Sequence, residues 1–231
     1  MPLPSRLPLA VTAEPCETTF VPAATALVII DMQRDFLEAD GFGAALGNNV
    51  SLLRHCVAPC MKLLAAMRKA GVSIIHTREG HRSDLQDVHA EKLMRCPPGK
   101  RIGDKGPMGR ILIRGEAGHD FIPELKPVAG EVIIDKPGNG AFYSTDLELV
   151  LRRQAITTLV ICGVTTEVCV HSTIREASDR GYRVIVPADC CGSYFPEFHA
   201  AALKMISAQG GIFGYVSTAT ALISALEAGN P

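Results

Sequence analysis

The chain has 231 residues, and its 23 Lys and Arg residues nearly balance its 24 Asp and Glu residues. This balance argues against nucleic acid or a charged membrane surface as its main partner. No apolar run reaches the roughly 20 residues that a membrane-spanning helix needs, and the N-terminal segment lacks the continuous apolar stretch of a signal peptide. The sequence therefore predicts a cytoplasmic protein.

Eight cysteines are scattered along the chain without the spacing of a disulfide framework or a CxxC pair. Cys56 and Cys60 lie four residues apart on a predicted helix and resemble half of a zinc site. However, the histidines show no ligand spacing around them. We expect free thiols and no metal at these cysteines.

Five apolar runs predict strands that are buried on both faces of a parallel sheet, and a sixth, short strand is predicted near GYVST. Helical patterns separate the strands, which is typical of a doubly wound α/β sandwich of three layers with a mostly parallel six-stranded sheet. We expect a single Rossmann-like domain over 1–231 with an irregular N-terminal arm at 1–24. The five runs are ALVIID (26–31), VSIIHT (72–77), EVIIDK (131–136), TLVICG (158–163) and YRVIVPAD (182–189).

Residues 78–120 depart from this alternation. The segment is rich in glycine, proline and charge and has little periodicity. A loop this long in a compact domain is usually functional or disordered. Its short run GRILIRGE favours a hairpin-like excursion or lid, and a subunit contact is the alternative.

Reactive side chains follow the strands at the edge where ligands bind in such sheets. An acid, a base and a thiol are therefore predicted to converge from different strands. The strand ends deliver Asp31, then His76 and Arg78, then Asp135 and Lys136, and finally Thr165 to Cys169.

Cys169 is the candidate nucleophile. Thr166 is a suitable N-cap, which would place Cys169 in the first turn of the following helix. The helix dipole there favours a thiolate, and the free amide groups can stabilise an oxyanion. The alternative is a buried structural cysteine.

Asp31 and Lys136 are the candidate partners of Cys169. Asp31 ends a fully apolar strand, where an unpaired carboxylate is costly, and it could take and return the thiol proton. Lys136 could hold Asp31 ionised, although a turn aspartate and a solvated lysine are the ordinary alternatives. Because neighbouring strand residues face opposite ways, Asp135 and Lys136 should not both enter the site.

Histidine is the rival base. His171 lies two residues after Cys169 on one helix and cannot face it. The spacing leaves open a Cys–His dyad with His76, His81, His89 or His119. The segment HTREGH lacks metal-ligand spacing.

The segments ALVIIDMQRDF, IIDKPGNGAF and ICGVTTEVCV resemble the signature segments of the isochorismatase-like cysteine hydrolases. The likeness runs from about residue 25 to the end. It implies that Asp31, Lys136 and Cys169 form a catalytic triad. It also implies a cis peptide at Val164–Thr165 and an oxyanion hole formed by the amides of Thr165 and Cys169.

Within this family, IIHTREGHRSDL, GPMGRILIRGE and KMISAQGGIFG resemble biuret hydrolase and triuret hydrolase. The resemblance implies an amidohydrolase without metal or cofactor that releases ammonia from a small, neutral, linear ureide through a thioester. It also implies a homo-oligomer, either dimer or tetramer. The candidate substrate contacts are Phe36, Phe142, Tyr143 and Gln209; Tyr143 stands where the biuret enzymes carry a smaller residue, which affects specificity.

Three alternatives remain. The substrate could be ureidoacrylate or another N-carbamoyl amide, or the chain could be an inactive family member serving as a binding or scaffold subunit. The intact Asp31, Lys136 and Cys169 argue against a scaffold. A Rossmann nucleotide binder is excluded because DMQRDF, rather than a glycine-rich turn, follows the first strand.

Overall fold

The computed structural model describes residues 4–229 of the chain. Its strands are β1 (Leu9–Val11), β2 (Thr18–Phe20), β3 (Thr25–Ile30), β4 (Ser73–Glu79), β5 (Lys105–Gly106), β6 (Gly109–Arg110), β7 (Val132–Lys136), β8 (Thr158–Val164), β9 (Arg183–Pro187), β10 (Cys191–Gly192) and β11 (Tyr215–Ser217).

The α-helices are α1 (Arg34–Leu37), α2 (Phe42–Ala45), α3 (Ser51–Arg54), α4 (Val57–Lys69), α5 (Ala90–Met94), α6 (Leu147–Arg153), α7 (His171–Asp179), α8 (Pro196–Gly211) and α9 (Ala219–Ala228). Helix α8 loses helical geometry at Ala208, Gln209 and Gly210. None of the helices in the described part of the chain is long and apolar enough to cross a membrane.

The central sheet has the strand order β11-β9-β8-β3-β4-β7, and every neighbouring pair is parallel. This confirms the predicted α/β fold with six main strands, to which β10 adds a short parallel pairing at the end of β8. All residues of β3 and β8 are buried. Both strands are therefore covered on both faces, which explains why their sequences are continuously apolar.

Helix α4 shows how the helices cover the sheet. Its buried residues, Val57, Cys60, Leu63, Leu64 and Met67, recur every three or four positions and form one apolar face. The helix packs against α9. Gly71, with a φ of 72°, follows its end and permits the left-handed turn into β4.

The N-terminal arm is more regular than expected. Strands β1 and β2 pair antiparallel within the segment that the sequence predicted to be irregular. Val11 and Phe20 are buried on this hairpin, and Glu14 exchanges backbone hydrogen bonds with Val216 of β11. Burial of these apolar side chains explains the order of a segment with little periodicity.

The excursion at 78–120 contains the short helix α5 and a small antiparallel hairpin, β5 with β6. Its residues Ile102, Ile111, Leu112 and Ile113 form an apolar cluster with Phe42 of α2. The buried carboxylate of Asp35 accepts backbone hydrogen bonds from Phe42 and Leu112 and so joins this cluster to the body. The hairpin agrees with the sequence, whereas a lid function stays a prediction.

Truncating Leu27 of β3, whose side chain is fully buried, should strongly destabilise the protein. We expect Leu27→Ala to lower the free energy of unfolding by about 2–5 kcal/mol in urea denaturation. The matched control is Leu149→Ala on α6, where the leucine is 71% exposed. Equal losses at the two positions would contradict the assigned core.

Candidate active site

Four strand ends place reactive side chains at one edge of the sheet. Asp31 follows β3, Glu79 ends β4, Lys136 ends β7 and Cys169 lies just beyond β8. Strand β3 lies between β4 and β8, so the strand order reverses beside it. This is the position at which open α/β sheets bind ligands.

Lys136 and Asp31 form the centre of this cluster, and both side chains are completely buried. The ammonium Nζ lies 2.7 Å from Asp31 Oδ2. It also donates to Gly138 O at 2.9 Å and to Cys169 Sγ at 3.4 Å. The other Asp31 oxygen, Oδ1, accepts a hydrogen bond from Thr77 Oγ1 at 2.6 Å. The structure thus unites the three side chains that the sequence singled out.

The backbone around Asp31 is tightly constrained. Asp31 has a φ of 49°, a left-handed conformation that aspartate tolerates better than most residues. In the register of β3 with β8, Ile30 pairs with Gly163, whose φ is 118°. A Cβ on Gly163 would lie 2.1 Å from Ile30 O, so only glycine fits.

Cys169 lies in a π-helical turn, Thr166–Val170, that leads directly into α7. The Val164–Thr165 peptide is cis, as the resemblance implied. The prediction that Thr166 caps the helix is wrong. Thr165 occupies the N-cap position, and Thr166 Oγ1 bonds to His199 Nδ1 at 2.8 Å.

The thiol of Cys169 is buried, and this burial raises its pKa well above its ordinary value. The charge on Lys136 lowers that pKa, whereas the charges on Asp31 and Glu79 raise it further. Burial thus opposes the thiolate that the helix dipole was expected to favour. Since the resting thiol is protonated, attack by sulfur requires a base.

Asp31 is suited to be that base. Burial raises its pKa above the ordinary value, and this outweighs the opposing effect of Lys136. Burial alone would lower the pKa of Lys136, but Asp31, Cys169 and Glu79 outweigh it and keep the ammonium charged. A buried carboxylate with a raised pKa accepts a thiol proton more readily than an exposed one.

Glu79 is the main site residue that the sequence did not reveal. Its Oε2 lies 3.5 Å from Cys169 Sγ and 3.9 Å from Lys136 Nζ. Glu79 and Lys136 are partners in the register of β4 with β7. Burial alone would raise the pKa of Glu79, but Lys136 and Lys92 outweigh it and hold that pKa below its usual range.

The strand β4 extends beyond its predicted end at Thr77, and side-chain alternation then decides which residues enter the site. Thr77 and Glu79 face Asp31 and Cys169. His76 and Arg78, which were expected at the site, face the other way. His76 bonds to Glu131 and Arg78 to Asp135. In the sequence, Glu79 could have been identified from the segment HTRE, because Thr77 and Glu79 lie two residues apart on a strand and so share a face.

Gln33, in the DMQ segment after β3, fixes the backbone of Glu79. Its side-chain amide donates to Glu79 O at 3.0 Å and accepts from Glu79 N at 2.7 Å. The pairing of Arg78 with Asp135 leaves Lys136 alone to enter the site, which confirms the predicted alternation.

A cavity of about 220 Å³ opens onto Cys169. It is lined by Phe36, Glu79, Val164, Thr165, Glu167, Val168, Cys169, Tyr194 and Phe195. Thr165 and Cys169 both line this cavity, and the role of their amides as an oxyanion hole stays a prediction. Phe36 lines the cavity, as expected of a substrate contact.

The other three expected substrate contacts lie away from this lining. Phe142 is buried and stacks on Tyr182. Tyr143 is 46% exposed and its hydroxyl bonds to His89 Nε2 at 2.8 Å. Gln209 is exposed in the left-handed turn that interrupts α8. The sequence identified these residues by likeness to motifs, which does not fix the direction of a side chain.

Two alternatives to the triad are a Cys–His dyad and a metal site at the same residues. Within residues 4–229, no histidine forms a hydrogen bond with Cys169 Sγ, which bonds to Lys136 and Glu79 and lies within 4.8 Å of an Asp31 oxygen. One ligand atom each of Asp31, Glu79 and Cys169 lies within 4.8 Å of the others, a spacing that suits a metal ion. However, Lys136 Nζ contacts all three groups and supplies the positive charge there.

Residues 25–221 match the family model of the isochorismatase domain. The chain therefore belongs to the isochorismatase family. Its fold is similar to that of solved proteins: the cysteine hydrolase from Pseudomonas syringae pv. phaseolicola superimposes with a TM-score of 0.78 at 30% identity. That match covers 91% of this chain and 95% of the other.

Two relatives are both named ureidoacrylate amidohydrolase RutB. The one from Serratia proteamaculans is 31% identical, covering 95% of this chain and 90% of its own length. The one from Pantoea ananatis is 33% identical, covering 89% of this chain and 83% of its own length. Their names correspond to the alternative substrate considered above rather than to biuret or triuret.

Removing Lys136 should destabilise the fold because it leaves Asp31 buried without its cation. We expect Lys136→Met to lower the free energy of unfolding by about 3–5 kcal/mol in urea denaturation. Adding Asp31→Asn should restore part of the loss. The matched control is Lys126→Met, whose 2.9 Å pair with Asp120 is exposed and contributes roughly 0–1 kcal/mol. Similar losses for the two lysine variants would refute the buried pair.

The pH dependence of Cys169 alkylation should report the charge on Glu79. Because Glu79 raises the pKa of the thiol, Glu79→Gln should move the alkylation profile to lower pH. Iodoacetamide labelling of the Cys169 peptide, quantified by mass spectrometry, measures this shift. The control is Glu91→Gln, an exposed carboxylate on α5. An unchanged or alkaline-shifted profile for Glu79→Gln would contradict the assigned electrostatics.

Proposed function

We propose that the protein is a cysteine-dependent amidohydrolase that cleaves a C–N bond of a small N-carbamoyl amide. The observation that carries this proposal is the buried triad of Asp31, Lys136 and Cys169 at the wall of a cavity. The amidohydrolase relatives named above support the reaction type. A scaffold or binding subunit would need none of these groups.

The first half-reaction forms a thioester. Asp31 takes the proton from Cys169 Sγ, and the sulfur attacks the carbonyl carbon of the substrate. The amides of Thr165 and Cys169 would stabilise the oxyanion, each donor contributing about 3–4 kcal/mol. The C–N bond then breaks, and the leaving nitrogen departs as ammonia or an amine with the proton from Asp31.

The second half-reaction returns the free enzyme. Asp31, again ionised, takes a proton from water, and the resulting hydroxide attacks the thioester carbon. The C–S bond breaks and Cys169 recovers its proton. Lys136 stays charged throughout, so it stabilises Asp31 whenever that carboxylate is ionised.

The charge of the cavity favours a neutral ureide. Two carboxylates, Glu79 and Glu167, line the cavity, and the lining contains neither lysine nor arginine. Lys92 and Lys136 offset the charge of Glu79, so Glu167 is the carboxylate that disfavours an anion there. Carboxylates accept hydrogen bonds from N–H groups and repel substrate anions. Biuret and triuret are neutral and rich in N–H groups, so the lining supports them as the first candidates.

Ureidoacrylate is the second candidate, because two relatives carry its name. It would be cleaved by the same steps at its carbamoyl carbonyl. Its own carboxylate would need to point away from Glu167. The two candidates therefore differ in charge, because biuret and triuret are neutral whereas ureidoacrylate carries a carboxylate.

The substrate panel of biuret, triuret, ureidoacrylate and nicotinamide separates these candidates by ammonia release. We expect the highest kcat/KM with biuret or triuret. Cys169→Ala should reduce it by about 10,000-fold or more, as for other lost nucleophiles. Cys16→Ala, which removes an exposed thiol, should have no effect.

A preference for ureidoacrylate would instead support the second candidate. If folded protein releases ammonia from none of these compounds, the assignment to carbamoyl amides is wrong and a scaffold role becomes the better account. Activity that survives in Cys169→Ala would refute the proposed nucleophile.

A further inference from the structure

Lys92 connects the excursion to the active site. It lies on α5, a helix without any buried residue of its own, yet its ammonium points inwards and its side chain is only 11% exposed. Its Nζ lies 2.6 Å from Glu79 Oε1. Glu79 thus binds Lys92 with one oxygen, while its other oxygen, Oε2, lies beside Cys169 Sγ.

Lys92 has no hydrogen bond left for a substrate. A lysine ammonium has three donors. Here they serve Glu79 Oε1, Pro137 O at 2.7 Å and His81 Nε2 at 3.1 Å. Pro137 directly follows Lys136, so Lys92 also holds the backbone next to the central lysine. Burial and the Lys92 charge lower the pKa of His81, so that ring is neutral and Nε2 can accept.

The charges around Glu79 explain why it needs this second cation. Lys136 is shared among Asp31, Glu79 and Cys169, and it lies nearest to Asp31. Glu167 adds a further carboxylate to the lining of the same cavity. Lys92 is at 2.6 Å the closest cation to Glu79, and a buried carboxylate without such a partner is costly.

We infer that Lys92 is a positioning residue of the active site, which fixes the Glu79 carboxylate beside Cys169 and ties α5 to the catalytic centre. This role rests on the proposed function, because it matters for turnover only if Glu79 contacts the substrate. Lys92 acts through Glu79 and touches neither the substrate nor the reacting atoms.

The first test compares Lys92→Met with Lys92→Arg on the best ureide of the panel. Because the lost interaction is a hydrogen bond to a charged group, Lys92→Met should lower kcat/KM by about 10- to 100-fold. Lys92→Arg, which retains the charge, should recover part of this loss. Lys105→Met, at an exposed lysine of the same excursion, is the control. Melting curves establish that each variant is folded.

The second test is a double-mutant cycle with Glu79→Gln. If Lys92 acts through Glu79, adding Lys92→Met to Glu79→Gln should reduce kcat/KM by less than about threefold. If Lys92→Met lowers kcat/KM as much in the Glu79→Gln protein as in wild type, the inference is overturned. So would wild-type kcat/KM in Lys92→Met alone.

The third test needs no substrate. Without Lys92, the charge on Glu79 is less compensated, so the pKa of Cys169 should rise and iodoacetamide labelling should shift to higher pH. In the Glu79→Gln background, adding Lys92→Met should leave the pH profile of labelling unchanged. If this shift appears but no ureide is hydrolysed, the proposed function fails and the positioning role survives. If ureides are hydrolysed and the labelling profile is unchanged, the positioning role fails.

Discussion

The ion pair between Lys136 and Asp31 is the interaction on which the rest of the site depends. Neither side chain has any exposed surface, so each charge is tolerable only because the other is present. The pair forms because β3 and β7 both end at the same edge of the sheet, with β4 between them. The same ammonium also reaches Cys169 and Glu79, and so it brings all four strand ends into one electrostatic unit.

This arrangement separates two tasks that a Cys–His dyad would combine. Asp31 moves the proton, whereas Lys136 keeps a fixed positive charge that offsets the burial of the anions. The resting thiol is protonated, and proton transfer to Asp31 leaves the negative charge on sulfur beside Lys136. The total charge of the site is therefore unchanged by this step, which suits charges that are buried as fully as those of Lys136 and Asp31.

Much of the fold and the triad could be predicted from the sequence. Continuous apolar runs identified the main strands, because only strands covered on both faces have that composition. Asp31, Lys136 and Cys169 were found because they follow these strands, and parallel strands end at one edge. The short strand β10 and the hairpin of β1 with β2 were not predicted. Both are stabilised by contacts with distant segments rather than by local periodicity.

The remaining site residues could not be predicted, because the sequence does not show which way a side chain points. His76 and Arg78 were expected at the site, but β4 continues to Glu79 and its side chains alternate between the two faces of the sheet. Thr77 and Glu79 therefore face the site instead. Lys92 lies in a segment without periodicity, and only the fold brings it to Glu79. The helix dipole suggested a thiolate at Cys169, but burial has the larger effect on that thiol.

The central claim is that Cys169 forms a covalent acyl intermediate with its proton taken by Asp31. The most direct measurement is mass spectrometry of protein that is quenched in acid during turnover of the best substrate. The account predicts an acyl adduct on the Cys169 peptide that accumulates in wild type and is absent from Asp31→Asn. Steady turnover without any adduct on Cys169, or an adduct on another residue, would contradict it.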